Sequence, residues 1–393
     1  MKSTVENNTL TVFLEGRIDA NSAPSLEKEI LELADANPGA GIVIDAESLE
    51  YISSAGLRVL MNLQKKKGDL SIINVSLEVY EIFEVTGFTE ILDVQKRLRF
   101  LSSEGLEKMG SGVNGTVYRL DDENILKTVK NMTLEAIRDE MDVSKMALIY
   151  GIPTAIAFDV VKTEEGYGEV YEMVKAGVLA AAIMAEPEKK DYYLDEFVRV
   201  YREIHSVDVS DSKFTPLKDR YLDAADGMRK YMTSEENEAI KKFINAIPDK
   251  TTFIHGDYHL GNIMLQDGEL MLIDIGEAGY GNPLFDLAQT RLAYYYSTVI
   301  EPKRATAITG LSLEMAQWFA DNVFNRYLGT EGEVLENQMK IVHIMGLLRA
   351  IFVAYMQGRE SREESVKERV KELQSVLFAD VDGMCSLVSE LFA

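Results

Sequence analysis

The sequence predicts two successive domains of different class. Residues 1–98 read as a small α/β domain; residues 99–393 read as an α+β domain in which a sheet-forming part, 99–174, precedes a mostly helical part, 175–393. Three observations carry this. Short apolar runs of strand type alternate with segments of helical spacing through the first hundred residues. A glycine-rich hairpin signature at Gly110, Gly112 and Gly115 is followed by β-branched and aromatic residues. Beyond residue 175, apolar residues recur mainly at helical intervals.

The composition sets the boundaries. At 393 residues the chain has room for two or three domains with substantial cores. A formal net charge of -24 argues against nucleic-acid binding, which needs clustered Lys and Arg, and against docking on anionic lipid. An acidic surface favours solubility and would suit a cationic substrate. Cys385 is the sole cysteine, so no intramolecular disulfide forms and a reducing cytoplasm is the expected setting. The opening MKSTVENNTL lacks the apolar core of a signal peptide. The apolar stretch 176–185 is half the length needed to span a bilayer. The longer one, 341–356, is interrupted by His343 and Arg349, which favours a buried helix.

In the first domain, Leu10, Val12 and Leu14 alternate with polar neighbours after the turn formers Asn7 and Asn8, predicting a hairpin. Leu26, Ile30 and Leu33 predict a helix over 25–33. The run 41–45 predicts a strand covered on both faces. A helix over 54–67, a strand over 70–75 and a helix over 77–85 follow. The stretches LEGRIDANSAPSLEKEI and IVIDAESLEYISSAGLRVLMNLQ, within residues 5–95, resemble the STAS domain of anti-sigma factor antagonists. In that family a Ser or Thr just before the glycine of this helix start is phosphorylated as a partner switch. Here Ala55 occupies the slot before Gly56, with Ser54 and Ser53 upstream. The resemblance thus implies a protein partner and makes Ser54 or Ser53 a candidate phosphoacceptor, since a phosphate adds about -1.5 to -2 charges at a helix N-terminus. The alternative is that one of these serines caps the helix.

Residues 95–104 form a short polar connection without a Gly/Pro-rich spacer. The G-x-G-x-x-G at Gly110, Gly112 and Gly115, with Ser111 inside it, is shared with dinucleotide-binding folds. There the third glycine opens a helix; here strand-type Thr116, Val117 and Tyr118 follow, then a turn at Asp121-Asp122 and a strand carrying Lys127. A glycine hairpin followed by a strand lysine is the kinase arrangement. Bare hairpin backbone approaches the nucleotide phosphates, and Lys127 binds their α and β oxygens. The helix beginning near Leu134 offers Glu140 as ion-pair partner of Lys127, with Glu135 and Asp139 as alternatives. Strands over 155–161 and 168–174 lead to a hinge at 172–175, where backbone of Glu172 and Val174 is placed to bond an adenine edge. Helices are predicted over 192–205, 217–232 and 237–246, and from 285 onward.

The densest chemistry lies in His255-Gly256-Asp257-Tyr258-His259-Leu260-Gly261-Asn262 and in Ile273-Asp274-Ile275-Gly276, each at the end of a short apolar run. Phosphoryl transfer from ATP needs a carboxylate at the acceptor hydroxyl and oxygen ligands for magnesium. Asp257 fits the first role; Asn262 and Asp274 fit the second. The alternation of His255, Asp257 and His259 also permits a metal-dependent hydrolase, but only His205 and His343 remain as further imidazoles, both in helical segments.

With the hairpin, Lys127, HGDYHLGN, Asp274 and the Asn282–Ala288 stretch in chain order, residues 105–360 resemble the aminoglycoside phosphotransferase and choline kinase branch of the protein-kinase-like fold. The resemblance implies a two-lobed domain, ATP and Mg as cofactors, a small-molecule hydroxyl as acceptor, Asp257 as catalytic base, and Asp286 as a structural group bonding the catalytic-loop backbone. His255 is expected to fix that loop, His259 to face or pack against the cleft, and His205 to be an ordinary helix residue. Tyr294, Tyr295 and Tyr296 either line an acceptor pocket or pack between helices. A second reading has the kinase-like domain phosphorylating a protein, or its own STAS domain; a nucleotide-sensing pseudokinase is disfavoured by the complete catalytic set.

Overall fold

The computed structural model describes every residue except 69, 112–114, 131, 267 and 357–362. The chain divides into two compact units, Met1–Ser102 and Ser103–Ala393.

The first unit opens with the hairpin of β1 (Lys2–Glu6) and β2 (Thr9–Ile18). Its turn residues Asn7 and Asn8 hold φ of 48° and 62°, the left-handed values a tight hairpin requires and asparagine tolerates. Then come α1 (Ala23–Ala36), β3 (Gly41–Ile52), α2 (Ser54–Lys67), β4 (Leu70–Val75), α3 (Leu77–Val85) and β5 (Asp93–Lys96). The five strands lie in the order β1-β2-β3-β4-β5, antiparallel at the first pair and parallel thereafter. Leu10, Val12, Ile42, Ile44, Leu60 and Leu63 are buried in one core. β3 departs from expectation: it runs to Ile52, and Ile42, Ile44 and Ala46 are buried while Val43 and Asp45 are half-buried. One face therefore carries the core and the other is partly covered. Irregular pairing with β2 on either side of Glu15 and Gly16 lets the strand continue through its polar middle.

The second unit begins with β6 (Glu107–Ser111), β7 (Gly115–Arg119), β8 (Asn124–Val129), helix α4 (Leu134–Ile149), β9 (Ala157–Thr163) and β10 (Gly166–Glu172). The sheet order is β6-β7-β8-β10-β9, antiparallel throughout. Lys127, on β8, is thus central in the sheet and opposite Glu169 of β10. Thr133 caps α4 by accepting the Ala136 N–H at 3.2 Å.

The helical part follows: β11 (Gly177–Val178), α5 (Leu179–Ala185), α6 (Lys190–Ile204), α7 (Leu217–Gly227), α8 (Ser234–Ala246), β12 (Thr252–Ile254), β13 (Ile263–Gln266), β14 (Glu269–Leu272), β15 (Gly279–Gly281), α9 (Leu284–Tyr295), α10 (Ala305–Thr309), α11 (Leu313–Leu328), α12 (Gly332–Met356), α13 (Glu363–Leu373) and α14 (Val381–Leu391). α8 starts three residues earlier than expected because Thr233 and Glu236 form a capping box. Phe197, Tyr201, Tyr258 and Phe319 pack at the centre of one core, with the Tyr201 and Tyr258 rings stacked at 3.9 Å. α12 is long and apolar enough to cross a membrane by length and composition, yet 61% of its most apolar window is buried inside the protein. Its Arg349 is buried and paired with Glu277, the pattern of a core helix.

Candidate active site

Short strands hold the loop that carries Asp257 and Asn262. β12 ends at Ile254, β13 begins at Ile263, and residues 255–262 bridge them. Ile254, Tyr258 and Leu260 belong to the core, so the loop is pinned by its own apolar side chains. Gly256 holds φ +83°, and a Cβ there would stand 2.5 Å from the Glu277 carbonyl oxygen. Both facts demand glycine. Asp286, buried in the first turn of α9, accepts the His255 and Gly256 N–H groups at 2.9 and 2.7 Å. Asp286 is held in turn by His205 Nε2 at 3.0 Å, whose Nδ1 lies 2.7 Å from the Tyr327 hydroxyl. His205 is therefore a brace of the loop, which corrects its reading as an ordinary helix residue.

Both carboxylate oxygens of Asp257 are engaged. Asn262 Nδ2 donates to Oδ2 at 3.0 Å, and Gln289 Nε2 donates to Oδ1. This use of the Asn262 amide leaves its carbonyl oxygen as the atom available to a ligand. His259 Nε2 stands 3.6 Å from Asp257 Oδ2, while its Nδ1 accepts the Gly261 N–H at 3.1 Å. Burial raises the Asp257 pKa, but the His259 hydrogen bond and the charges of His259, Arg349 and His255 outweigh it, and the net shift is downward. Asp257 is thus a carboxylate at neutral pH. Burial lowers the His255 pKa; its Nδ1 accepts the Asp257 N–H at 3.2 Å, so a neutral imidazole fixes the loop. Among the described residues there is no group of three or more His, Cys, Asp or Glu placed to hold a metal ion.

The sheet supplies the cation. Lys127 Nζ lies 2.7 Å from Glu140, 3.0 Å from Asp274 and 3.5 Å from Glu169. Glu140 rather than Glu135 or Asp139 makes the pair, the other two being exposed. A Cβ at Gly276 would stand 2.7 Å from Glu140 Cγ, so the glycine after Asp274 makes room for this carboxylate. Burial would lower the Lys127 pKa; Asp274, Glu140 and Glu169 overcome it and hold the ammonium charged. Glu169 is fully buried, and burial pushes its carboxyl up to about 7. Asp274 holds φ +59°, a strained conformation for a side-chain-bearing residue. It is set beside the loop by the Ile273 N–H, which donates to the Asn262 carbonyl at 3.0 Å.

Lys127, Asn262 and Asp274 line one cavity of about 370 Å³, together with Gly110, Glu172, Met173 and Val174. Ser111 closes β6 and Gly115 opens β7; Gly112 lies outside the described residues. A Cβ at Gly115 would collide with the Thr128 carbonyl oxygen. At the hinge, the Glu172 and Met173 N–H groups donate to Ile156 and Glu123 carbonyls at 2.9 and 2.7 Å. A second cavity, of about 570 Å³, is lined by His259, Gln289, Arg291, Tyr295, Tyr296 and His343 among others. The tyrosine cluster divides: Tyr294 is buried against Phe319, while Tyr295 and Tyr296 face this second space.

Sequence reading missed Glu169, Gln289 and the role of Arg349. Arg349 Nε donates to Gln289 Oε1 at 2.7 Å and its Nη2 to Glu277 at 2.7 Å, so a continuous chain runs from Glu277 to Asp257. The one signal in the sequence is a lone arginine inside an apolar helix. In the first unit, the Ser53 hydroxyl accepts the Gly56 N–H at 3.4 Å, capping α2, and Ser54 is exposed. A Cβ at Gly56 would stand 2.7 Å from Ile18 and Ile52 side-chain atoms, so glycine permits close helix-to-strand packing.

A sheet-borne lysine meeting a glutamate of α4 and the aspartate of a strand-end turn, above a largely helical part, defines a kinase-type phosphotransferase. The chain belongs to the phosphotransferase enzyme family, whose model matches residues 105–311. The Mlab STAS domain model matches residues 2–94. BtrV of Bordetella bronchiseptica, a putative anti-sigma factor antagonist, is 34% identical over 100 residues, 24% of this chain and 85% of that protein. The anti-sigma-B factor antagonist of Bacillus subtilis is 31% identical over 94 residues, 23% of this chain and 84% of that protein. Among solved structures, the apo form of a thermostable mutant of aminoglycoside phosphotransferase APH(4)-Ia is similar at 14% identity and TM-score 0.49, with 69% of this chain and 94% of that one covered. A choline/ethanolamine kinase family protein from Mesorhizobium loti is similar at 13% identity and TM-score 0.48, with 73% and 93% covered.

Proposed function

We propose that the protein transfers the γ-phosphate of ATP to a hydroxyl of a small molecule, with magnesium, and that its STAS domain regulates the enzyme or docks it to a partner protein. The observation that carries the reading is the meeting of Lys127 with Asp274 at 3.0 Å in a cavity that Asn262, the partner of Asp257, also lines. Asp274 and the side-chain Oδ1 of Asn262 are oxygen donors suited to magnesium, which keeps few protein ligands and shares phosphate oxygens. Bound there, the metal would neutralise charge on the transferring group. Lys127, held by Glu140, binds phosphate oxygens. The backbone at Gly110, Ser111 and Gly115 covers them, and the hinge at Glu172 and Val174 takes the adenine edge. Asp257, ionised and fixed at both oxygens, orients the acceptor hydroxyl and receives its proton. The test is ATP consumption by the purified full-length chain, with and without magnesium, over amino sugars, choline-like alcohols, sugars and hydroxy acids. Magnesium-dependent turnover with one acceptor class supports the reading; none with any acceptor opposes it.

A second reading, phosphorylation of a protein or of the chain's own STAS domain, is favoured by one feature: Ser54 is exposed at the N-terminus of α2 while Ser53 is committed to the cap. Intact-mass measurement after incubation with ATP distinguishes it. Phosphate on Ser54, absent from an Asp257→Asn variant, supports this second reading.

A further inference from the structure

The acidity of the whole chain does not extend to the second cavity. Among the described residues its wall carries Arg291, Arg304, Arg369 and His343 and no carboxylate. Two of these arginines are matched from behind: Arg304 by Glu301 at 3.0 Å, and Arg369 by Glu368 and Glu372 at 3.4 and 3.5 Å. Glu372 is further engaged by His343 Nε2 at 3.1 Å and the Tyr295 hydroxyl at 3.0 Å. Arg291 is different. It forms no ion pair among the described residues, and its Nε is buried without a hydrogen-bond partner.

The side chain is nevertheless held in place. Its guanidinium lies 4.7 Å from the Tyr295 ring centroid, and one terminal nitrogen is 3.4 Å from His343 Nδ1. Its stem crosses α12 where Gly346 has no side chain; a Cβ there would stand 2.7 Å from Arg291 Cγ. Glu372 reaches Arg291 through its charge from beyond His343 and Tyr295 but makes no ion pair with it, and a positioned, half-buried guanidinium without a contacting carboxylate is costly unless something supplies one. The same cavity is lined by Gln289, which bonds Asp257, and by His259, 3.6 Å from it.

We infer that the phosphate acceptor carries an anionic group, a carboxylate or a phosphate, which binds Arg291 while its hydroxyl is presented to Asp257. The inference rests on the small-molecule phosphotransfer reading above and narrows it. A guanidinium matches the two oxygens of either anion in a bidentate pair, and such charge-assisted bonds are the strong ones. A cationic acceptor would instead meet a guanidinium that no carboxylate contacts among the described residues.

The test uses the full-length protein with magnesium and ATP, and acceptors grouped by charge. Gluconate and glycerate carry a carboxylate, glucose 6-phosphate and glycerol 3-phosphate carry a phosphate, glucose and glycerol are neutral, and choline and kanamycin are cationic. Transfer to the carboxylate or the phosphate group is expected, and which of the two identifies the anion. Arg291→Met should then raise KM for that acceptor roughly 10- to 100-fold with kcat changed far less, and Arg291→Lys should fall between. Gly346→Ala, which displaces the Arg291 stem, should raise the same KM. Transfer confined to neutral or cationic acceptors, or an unchanged KM in Arg291→Met, overturns the inference and leaves the phosphotransferase reading standing. Transfer to no small molecule overturns both.

Discussion

Gln289 donates its amide N–H to Oδ1 of Asp257, and the carbonyl of the same amide accepts from the buried Arg349. The carboxylate at the centre of the proposed chemistry is thereby oriented from α12, far along the chain. Gln289→Leu should lower kcat by roughly 10- to 100-fold, because an unrestrained carboxylate loses its alignment with the acceptor hydroxyl. KM for ATP should change little. Steady-state kinetics with ATP and acceptor varied separately check this.

Arg349 makes the network a stability element as well. Glu277→Ala leaves a buried guanidinium without its carboxylate, at a cost of about 1–3 kcal/mol after allowance for the half-exposed position of Glu277. Urea denaturation at neutral pH measures the loss. Glu277→Gln, which still accepts a hydrogen bond, should recover part of it.

Lys127→Met and Asp274→Asn should each slow phosphoryl transfer by about 10²-fold or more, since each removes charge matched to the transferring group. Glu140→Gln should cost less, because Asp274 and Glu169 remain near the ammonium. Single-turnover rates at saturating ATP separate chemistry from binding.

Lys127, Asp257, Asn262 and Asp274 are legible in the sequence because short motifs carry them. An apolar run ending on Asp274, the spacing from Asp257 to Asn262, and a lysine on the strand after a glycine hairpin are local patterns. Glu140 needs only the choice of helix face. Glu169, Gln289, Arg349 and His205 are brought together by tertiary packing, and no local period marks them. Arg349 reads as an interruption in an apolar run because its partner, Glu277, lies 72 residues away. His205 reads as ordinary because Asp286, which it holds, lies 81 residues away. In the first unit the alternation of β2 is plain, whereas the polar Glu47 and Ser48 hide the continuation of β3 to Ile52.

Asp286 joins the loop to the helical core. Asp286→Ala removes the acceptor for two buried N–H groups and for His205, and should cost about 2–5 kcal/mol together with most of the activity. Thermal unfolding followed by circular dichroism is the measurement, and Asp286→Asn should lie between the two proteins.

Glu169 sets a pH dependence. Its folded pKa of about 7 lies above the ordinary carboxylate value of 4.5, so the folded protein holds this proton where the unfolded chain has lost it. The stability from the protonated form is fully present below about pH 4.5 and is lost as pH rises through 7. Glu169→Gln should remove that loss, so the variant gains on the parent as pH rises from 5 to 8. Parallel melting curves of the two proteins across that range test the sign.

In the STAS domain the two serines should separate. Ser53→Ala removes the cap of α2 and should cost about 1 kcal/mol, while Ser54→Ala should stay within about 0.5 kcal/mol of the parent. Chemical denaturation of the full chain reads both.

The most direct measurement follows the γ-phosphate itself. The purified chain is given magnesium and ATP carrying oxygen-18 on the non-bridging oxygens of its γ-phosphate, together with a mixture of small hydroxyl compounds, and the label is located by mass spectrometry. Label on a small-molecule hydroxyl, dependent on magnesium and lost in Asp257→Asn, is the predicted result. Label that stays on ATP, or that leaves only as free phosphate at the same rate in the variant, would contradict the account.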